Sequence, residues 1–154
     1  MPHAVAFHGL GSRGTTATPG YSVFIVPWAG VKAHSGFGTR TQDSSLLSGG
    51  RLDNTVGQND YWEVDVWLDA GTYKLALIYT TLTNAGIHNI TGINGSTQTI
   101  DAYAATANNV YGEVTGIAVT AGLKTIRDTM ATKNASSTGY FGYVQSLALI
   151  RTGA

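Results

Sequence analysis

The chain has 154 residues and a mass of 16.1 kDa, enough for one domain that buries roughly 68–70% of its unfolded surface. Charged residues make up 12%, with 9 basic against 9 acidic side chains and no Cys, where a typical soluble protein carries about 25% charge. This composition excludes an electrostatic footprint for nucleic acid or anionic lipid, and it excludes disulfide frameworks, thiolate metal sites and cysteine nucleophiles.

Residues 1–20 read as an extended N-terminal arm, and 21–154 as one domain. The opening Met1-Pro2-His3-Ala4-Val5 lacks the basic and long apolar stretches of a secretory signal, so none is expected. No apolar run is long enough for a membrane helix. Gly9-Leu10-Gly11-Ser12-Arg13-Gly14 has the G-x-G-x-x-G spacing of a phosphate loop. That chemistry needs a helix directly afterwards, whose N-terminus meets the pyrophosphate. Thr15 to Gly20 contains Pro19 and is no helix, so the motif reads as part of the arm.

Tyr21 to Trp28 is a strand-like apolar run that Pro27 ends or confines to an edge. From Gly36 to Asn59 the residues are small or polar. A structureless stretch of that length is unusual within a domain; it either wraps something or pairs in part at a sheet edge. From Tyr61 the pattern has period two. Trp62, Val64, Val66 and Leu68 share one face, and Tyr61, Glu63, Asp65, Trp67 and Asp69 the other, which is a half-buried strand. Tyr73, Leu75, Leu77 and Tyr79 continue the pattern after Asp69-Ala70-Gly71, and the two runs read as a hairpin.

Ile87–Ile93 and Thr97–Tyr103 flank Asn94-Gly95, a pair that tolerates positive φ and marks a second hairpin. Val114–Val119 and Leu123–Met130 read as a third, across Thr120-Ala121-Gly122, and a last strand runs from Tyr140 to Arg151. Short strands with regular turn signals and no helical period predict an all-β fold, a jelly-roll β-sandwich with an N-terminal arm.

The candidates for chemistry are few. His3, His8, His34 and His88 lack metal-pair spacing and read as surface or interface residues. Asp60, Glu63, Asp65, Asp69, Asp101, Glu113 and Asp128 give no evident acid–base pair, and no Ser carries a nucleophile elbow. No catalytic residue and no cofactor is expected. Asp60, Asp101 and Asp128 are candidate oxygen ligands for a structural calcium. The sequons at Asn89, Asn94 and Asn134 read as chance matches. Aromatic residues carry the strongest signal. Trp67 sits on a polar strand face, and Tyr140, Phe141 and Tyr143 cluster before the last strand. With Trp28 they are the candidates for ligand or interface contact.

Four segments carry a resemblance: LDAGTYKLALIYTT, NAGIHNITGINGSTQTIDAYA, GIAVTAGLKTIR and KNASSTGYFGYVQSLALIRT. Together they resemble the jelly-roll modules of carbohydrate-binding type that occur in tailed-bacteriophage virion proteins. Thr99–Ala104 and Asn134–Tyr140 match strings typical of those domains, and the likeness covers residues 61–152. It implies a non-enzymatic virion component, a capsid decoration, cement or fibre protein assembled in the host cytoplasm. Its implied partners are capsid or tail proteins and sister subunits, as a homotrimer. The alternative it carries is a carbohydrate-binding module that takes a host glycan.

Overall fold

Alternation places the strands. A computed structural model describes residues 22–54 and 57–154; the expected arm at 1–20, its glycine motif, His3 and His8 lie outside the described residues. The strands are β1 (Ser22–Ile25), β2 (Ala33–Ser35), β3 (Phe37–Gln42), β4 (Gly50–Asn54), β5 (Tyr61–Leu68), β6 (Gly71–Thr81), β7 (Gly86–Thr91), β8 (Gln98–Asp101), β9 (Ala107–Val119), β10 (Gly122–Lys133) and β11 (Gly142–Gly153). They form two antiparallel sheets packed as a jelly-roll β-sandwich. The first has the order β3-β4-β11-β6-β9, with β1 also on β11. The second has the order β2-β5-β10-β7-β8.

The core lies between the sheets. Trp62, Val64, Val66 and Leu68 of β5 face Tyr73, Leu75 and Leu77 of β6, all of them buried. Each such side chain contributes about 1.5–3 kcal/mol of burial free energy. The expected faces are therefore correct, but two of the expected hairpins are not. β5 belongs to the second sheet and β6 to the first, so the chain crosses the sandwich at Asp69-Ala70-Gly71. It crosses back at Thr120-Ala121-Gly122, between β9 and β10. Gly71 takes φ +154°, and an added Cβ there would lie 2.6 Å from the carbonyl oxygen of Gly153. Gly122 takes φ +143°. These glycines turn the chain out of its sheet at a corner. The hairpin at Asn94-Gly95 does form, with β7 paired to β8 from Ile87↔Asp101 to Ile90↔Gln98.

Pro27 ends β1 as expected and opens a 3-10 turn over Pro27–Ala29. The polar stretch at 36–59 pairs at a sheet edge, where β3 forms the rim of the first sheet against β4. The loop between them straps across that sheet. Its Leu47 N–H donates to Asn109 Oδ1 at 3.0 Å and its Ser48 hydroxyl donates to the Gln145 carbonyl at 3.2 Å. Leu46, in the same loop, is buried.

One connection presses directly on the second sheet. Gly92 takes φ +86°, and a Cβ built there would lie 1.8 Å from the Thr125 carbonyl oxygen of β10. Gly92→Ala is expected to destabilise the fold by at least about 1–3 kcal/mol, the cost of a left-handed non-glycine residue, read as a lower urea midpoint. Gly95→Ala at the same φ with open space around it should lose only the smaller backbone part.

Candidate binding face

Sheet geometry assembles the candidate site from two strands that are distant in sequence. β5 and β10 pair so that Trp67 stands opposite Leu123, Asp65 opposite Thr125, Glu63 opposite Arg127, and Tyr61 opposite Thr129. All of these side chains point outward, because alternation sends Trp62, Val64, Val66 and Leu68 into the core. Trp67 is 59% exposed and Leu123 66% exposed. Two large apolar side chains held side by side on a strand pair form a flat platform.

Polar groups line the strands beside it. Lys32 Nζ reaches Asp65 Oδ1 at 2.9 Å, and the Thr125 hydroxyl donates to the same oxygen at 2.6 Å. These two bonds, the one from Thr125 first, hold the Asp65 carboxyl below the usual carboxylate range. One step further, Arg127 donates from Nε at 2.8 Å and from Nη2 at 2.6 Å to Glu63 Oε2. The same guanidinium stacks over the Tyr61 ring at 4.0 Å. Glu63 is nearly buried, at 9% exposure, because Arg127 lies against it and Ala33 of β2 stands opposite on the other side. Asp65 and Glu63 each have a cationic partner, so the polar groups beside the platform are fixed and their charges balanced in pairs.

The other expected aromatic residues sit elsewhere. Trp28 is half-buried on the 3-10 turn, where its Nε1–H donates to the Ser48 hydroxyl at 3.2 Å and its ring covers Gly50. Tyr143 lies on the outer face of the first sheet, with the Arg51 guanidinium 4.3 Å above its ring. Tyr140 is half-buried against the core, with Lys133 Nζ 5.3 Å from its ring. The Phe141 main chain is tied to Asn84 and Gly86 by bonds of 3.1 and 2.8 Å. The structure thus separates the five expected aromatic candidates and leaves Trp67 as the most exposed of the tryptophans and tyrosines described. Leu123, Thr125, Lys32 and Arg127 join it, and sequence reading did not single them out. Only the β5–β10 register, and for Lys32 the pairing of β2 with β5, could have found them.

Two expectations about ionisable groups are overturned. His88, expected at the surface or an interface, is fully buried in the core. Asp128, expected as a calcium candidate, is fully buried as well, and its Oδ2 is taken by two nitrogens, Trp62 Nε1 at 3.1 Å and His88 Nδ1 at 2.7 Å. The strand phase explains both: residues 86, 88 and 90 of β7 and 126, 128 and 130 of β10 face inward. Asp60 accepts from the Gly57 N–H at 2.9 Å, and Asp101 from the Tyr103 N–H at 2.9 Å and Asn134 at 2.8 Å. The three aspartates are not brought together, and no group of three or more His, Asp or Glu side chains placed to hold a metal occurs among the described residues.

No protein-family model and no curated protein matches the chain. Solved structures do. The chain is similar to part of a Paenibacillus xanthan lyase, at 25% identity over 80% of this chain and 12% of that one, with a TM-score of 0.62. It is similar to the CBM36-1 domain of a multidomain xylanase from the hindgut metagenome of Trinervitermes trinervoides, at 15% identity over 86% of this chain and 98% of that one, with a TM-score of 0.59. It is also similar to a family 35 carbohydrate-binding module from Clostridium thermocellum, at 22% identity over 78% and 93%, with a TM-score of 0.51. The chain therefore spans a small part of the lyase and nearly the whole of the two modules.

Proposed function

We propose that the protein is a non-catalytic glycan-binding module, and that the outer face of its second sheet takes a neutral sugar chain. The observation that carries this is the pairing of an exposed platform, Trp67 with Leu123, to polar groups whose charges already cancel. A sugar ring has an apolar face that stacks on an aromatic side chain and a rim of hydroxyls that needs fixed donors and acceptors. Asp65 and Glu63 offer carboxylate oxygens; Lys32, Arg127 and Thr125 offer donors. A charged ligand would meet no net countercharge from the ion-paired groups beside the platform. The likeness to structures described as carbohydrate-binding modules supports the same reading. The virion setting, the capsid and tail partners and the trimer implied by the sequence resemblance gain no support from these relatives.

The test is titration calorimetry of the chain against neutral xylans, mannans, galactans and β-glucans, with heparin and polygalacturonate as charged counterparts. Saturable binding to a neutral glycan that survives moderate salt is the expected result. Binding confined to the charged polymers would overturn the proposal, and so would no binding to any of the set. Because its hydrogen bonds keep Asp65 ionised below the usual range, the affinity should hold as the pH falls from neutrality through the ordinary carboxylate range. Asp65→Asn should weaken binding at neutral pH, and a loss of affinity setting in well above that range would contradict Asp65 as a contact.

A further inference from the structure

The second candidate surface is an edge. Among the described residues, β9 pairs only with β6 and closes one side of the first sheet. The other outer strands are short: β2 has 3 residues, β8 has 4 and β3 has 6, whereas β9 has 13. Long open edges recruit further strands, and natural sheets guard them with lysine, proline, bulges or brevity. β9 has no lysine or proline, and Glu113 is its one charged residue.

Two bulges mark off a regular stretch of this edge. The β6–β9 register shifts between Tyr79 and Thr81, where Asn109 takes φ +59°, and again between Tyr73 and Leu75, where Gly116 takes φ +72°. Between them Val110 to Val114 pair with β6 without interruption. The stretch is complementary to itself. A two-fold axis through Gly112 sets Val110 against the partner subunit's Val114, and Tyr111 against the partner subunit's Glu113. Val110 and Val114 pack on the core but remain only partly buried, so the meeting of two edges would complete their burial. Tyr111 is 51% exposed, and its hydroxyl donates to Glu113 at 2.5 Å within one chain. The same donor and acceptor face each other across the axis. Lys74, 3.3 Å from Glu113, keeps the paired carboxylates neutralised.

We infer that β9 is a homodimer interface, joining two copies edge to edge in antiparallel register about Gly112. The two first sheets then run on as one, and Trp67, on the other sheet, stays free. The dimer therefore presents two binding faces, and avidity follows if both reach one polymer.

The experiment is light scattering after size exclusion across a roughly hundredfold concentration range, with three variants. Wild type should shift from monomer to dimer with concentration. Tyr111→Glu sets like charges opposite each other and should weaken the dimer about tenfold or more, whereas Trp67→Ala should leave it unchanged. In Tyr111→Cys/Glu113→Cys, the pairing puts cysteines of opposite subunits at about 4.5–5.5 Å between Cβ atoms, close to disulfide geometry. The chain has no other Cys, so oxidation should give one dimer band that reductant removes. A monomer at every concentration with no crosslink overturns the inference, whatever else covers the edge. A dimer that Tyr111→Glu leaves intact and the cysteines fail to trap overturns it too.

Discussion

Asp128→Ala is expected to cost about 3–5 kcal/mol of folding stability, the combined penalty for buried polar groups left without partners and for the cavity opened beside them. Asp128 lies on the inward face of β10, fully buried, with one oxygen shared by Trp62 and His88. Trp62 Nε1–H donates to Asp128 Oδ2, and His88 Nδ1 lies 2.7 Å from the same oxygen. Both partners are themselves fully buried, and the Tyr79 ring closes over His88 edge to face at 5.6 Å. Removing the carboxyl leaves the Trp62 indole N–H and the His88 ring nitrogen without their partner in the core, and each such group costs about 1–3 kcal/mol. It also opens a cavity between β5 and β7. Domains of this kind hold only about 5–15 kcal/mol in all, so the variant should lose a large share of its stability and unfold at a clearly lower urea concentration. Asp128→Asn keeps an acceptor oxygen and should cost clearly less. Urea melts followed by circular dichroism decide the matter. An Asp128→Ala midpoint equal to that of wild type would show that the triad contributes nothing to the fold.

The triad also shows where sequence reading reached its limit. Period two tells which residues share a face, and it placed Trp62, Val64, Val66 and Leu68 correctly. It does not tell whether the next run lies beside the first in one sheet or opposite it in the other, because both arrangements bury the same residues. Hence β5 and β6 read as a hairpin although Gly71 carries the chain across the sandwich. Asn94-Gly95 was different, because a pair that tolerates positive φ points to a local hairpin. His88 was ambiguous for a related reason. It stands between Ile87 and Asn89, and Ile87 and Ile90 belong to opposite phases, so either could have marked the buried face. The inward phase wins because Asp128, 40 residues away on β10, supplies a partner whose carboxyl also accepts from Trp62, 66 residues before it. No local pattern encodes that. The candidate face has the same history: the exposure of Trp67 was legible from alternation, while Leu123 and Thr125 joined it only through the β5–β10 register.

The second large effect falls on binding and leaves stability alone. Trp67→Ala should abolish measurable affinity for whichever neutral glycan the wild type binds, a loss of at least about tenfold or 1.4 kcal/mol. The ring is 59% exposed and stands on the outer face of β5, so its truncation opens no cavity. Surface changes of this kind alter folding stability by only about 0.5 kcal/mol or less. Its worth lies instead in the flat area it offers a sugar ring, since large aromatic side chains dominate contact energetics. Leu123 stands directly opposite and extends the platform without a π face, so Leu123→Ala should weaken binding by a smaller factor. Thr125→Val removes the hydroxyl that donates to Asp65 at 2.6 Å while keeping the shape, and should fall between the two. This order of losses, Trp67 then Thr125 then Leu123, separates a sugar platform from a protein-docking patch, where the two apolar side chains would matter most and the hydroxyl least. Calorimetry on the three variants, each with an unchanged melting temperature, gives the answer. Wild-type affinity in Trp67→Ala would move the glycan site off this face altogether.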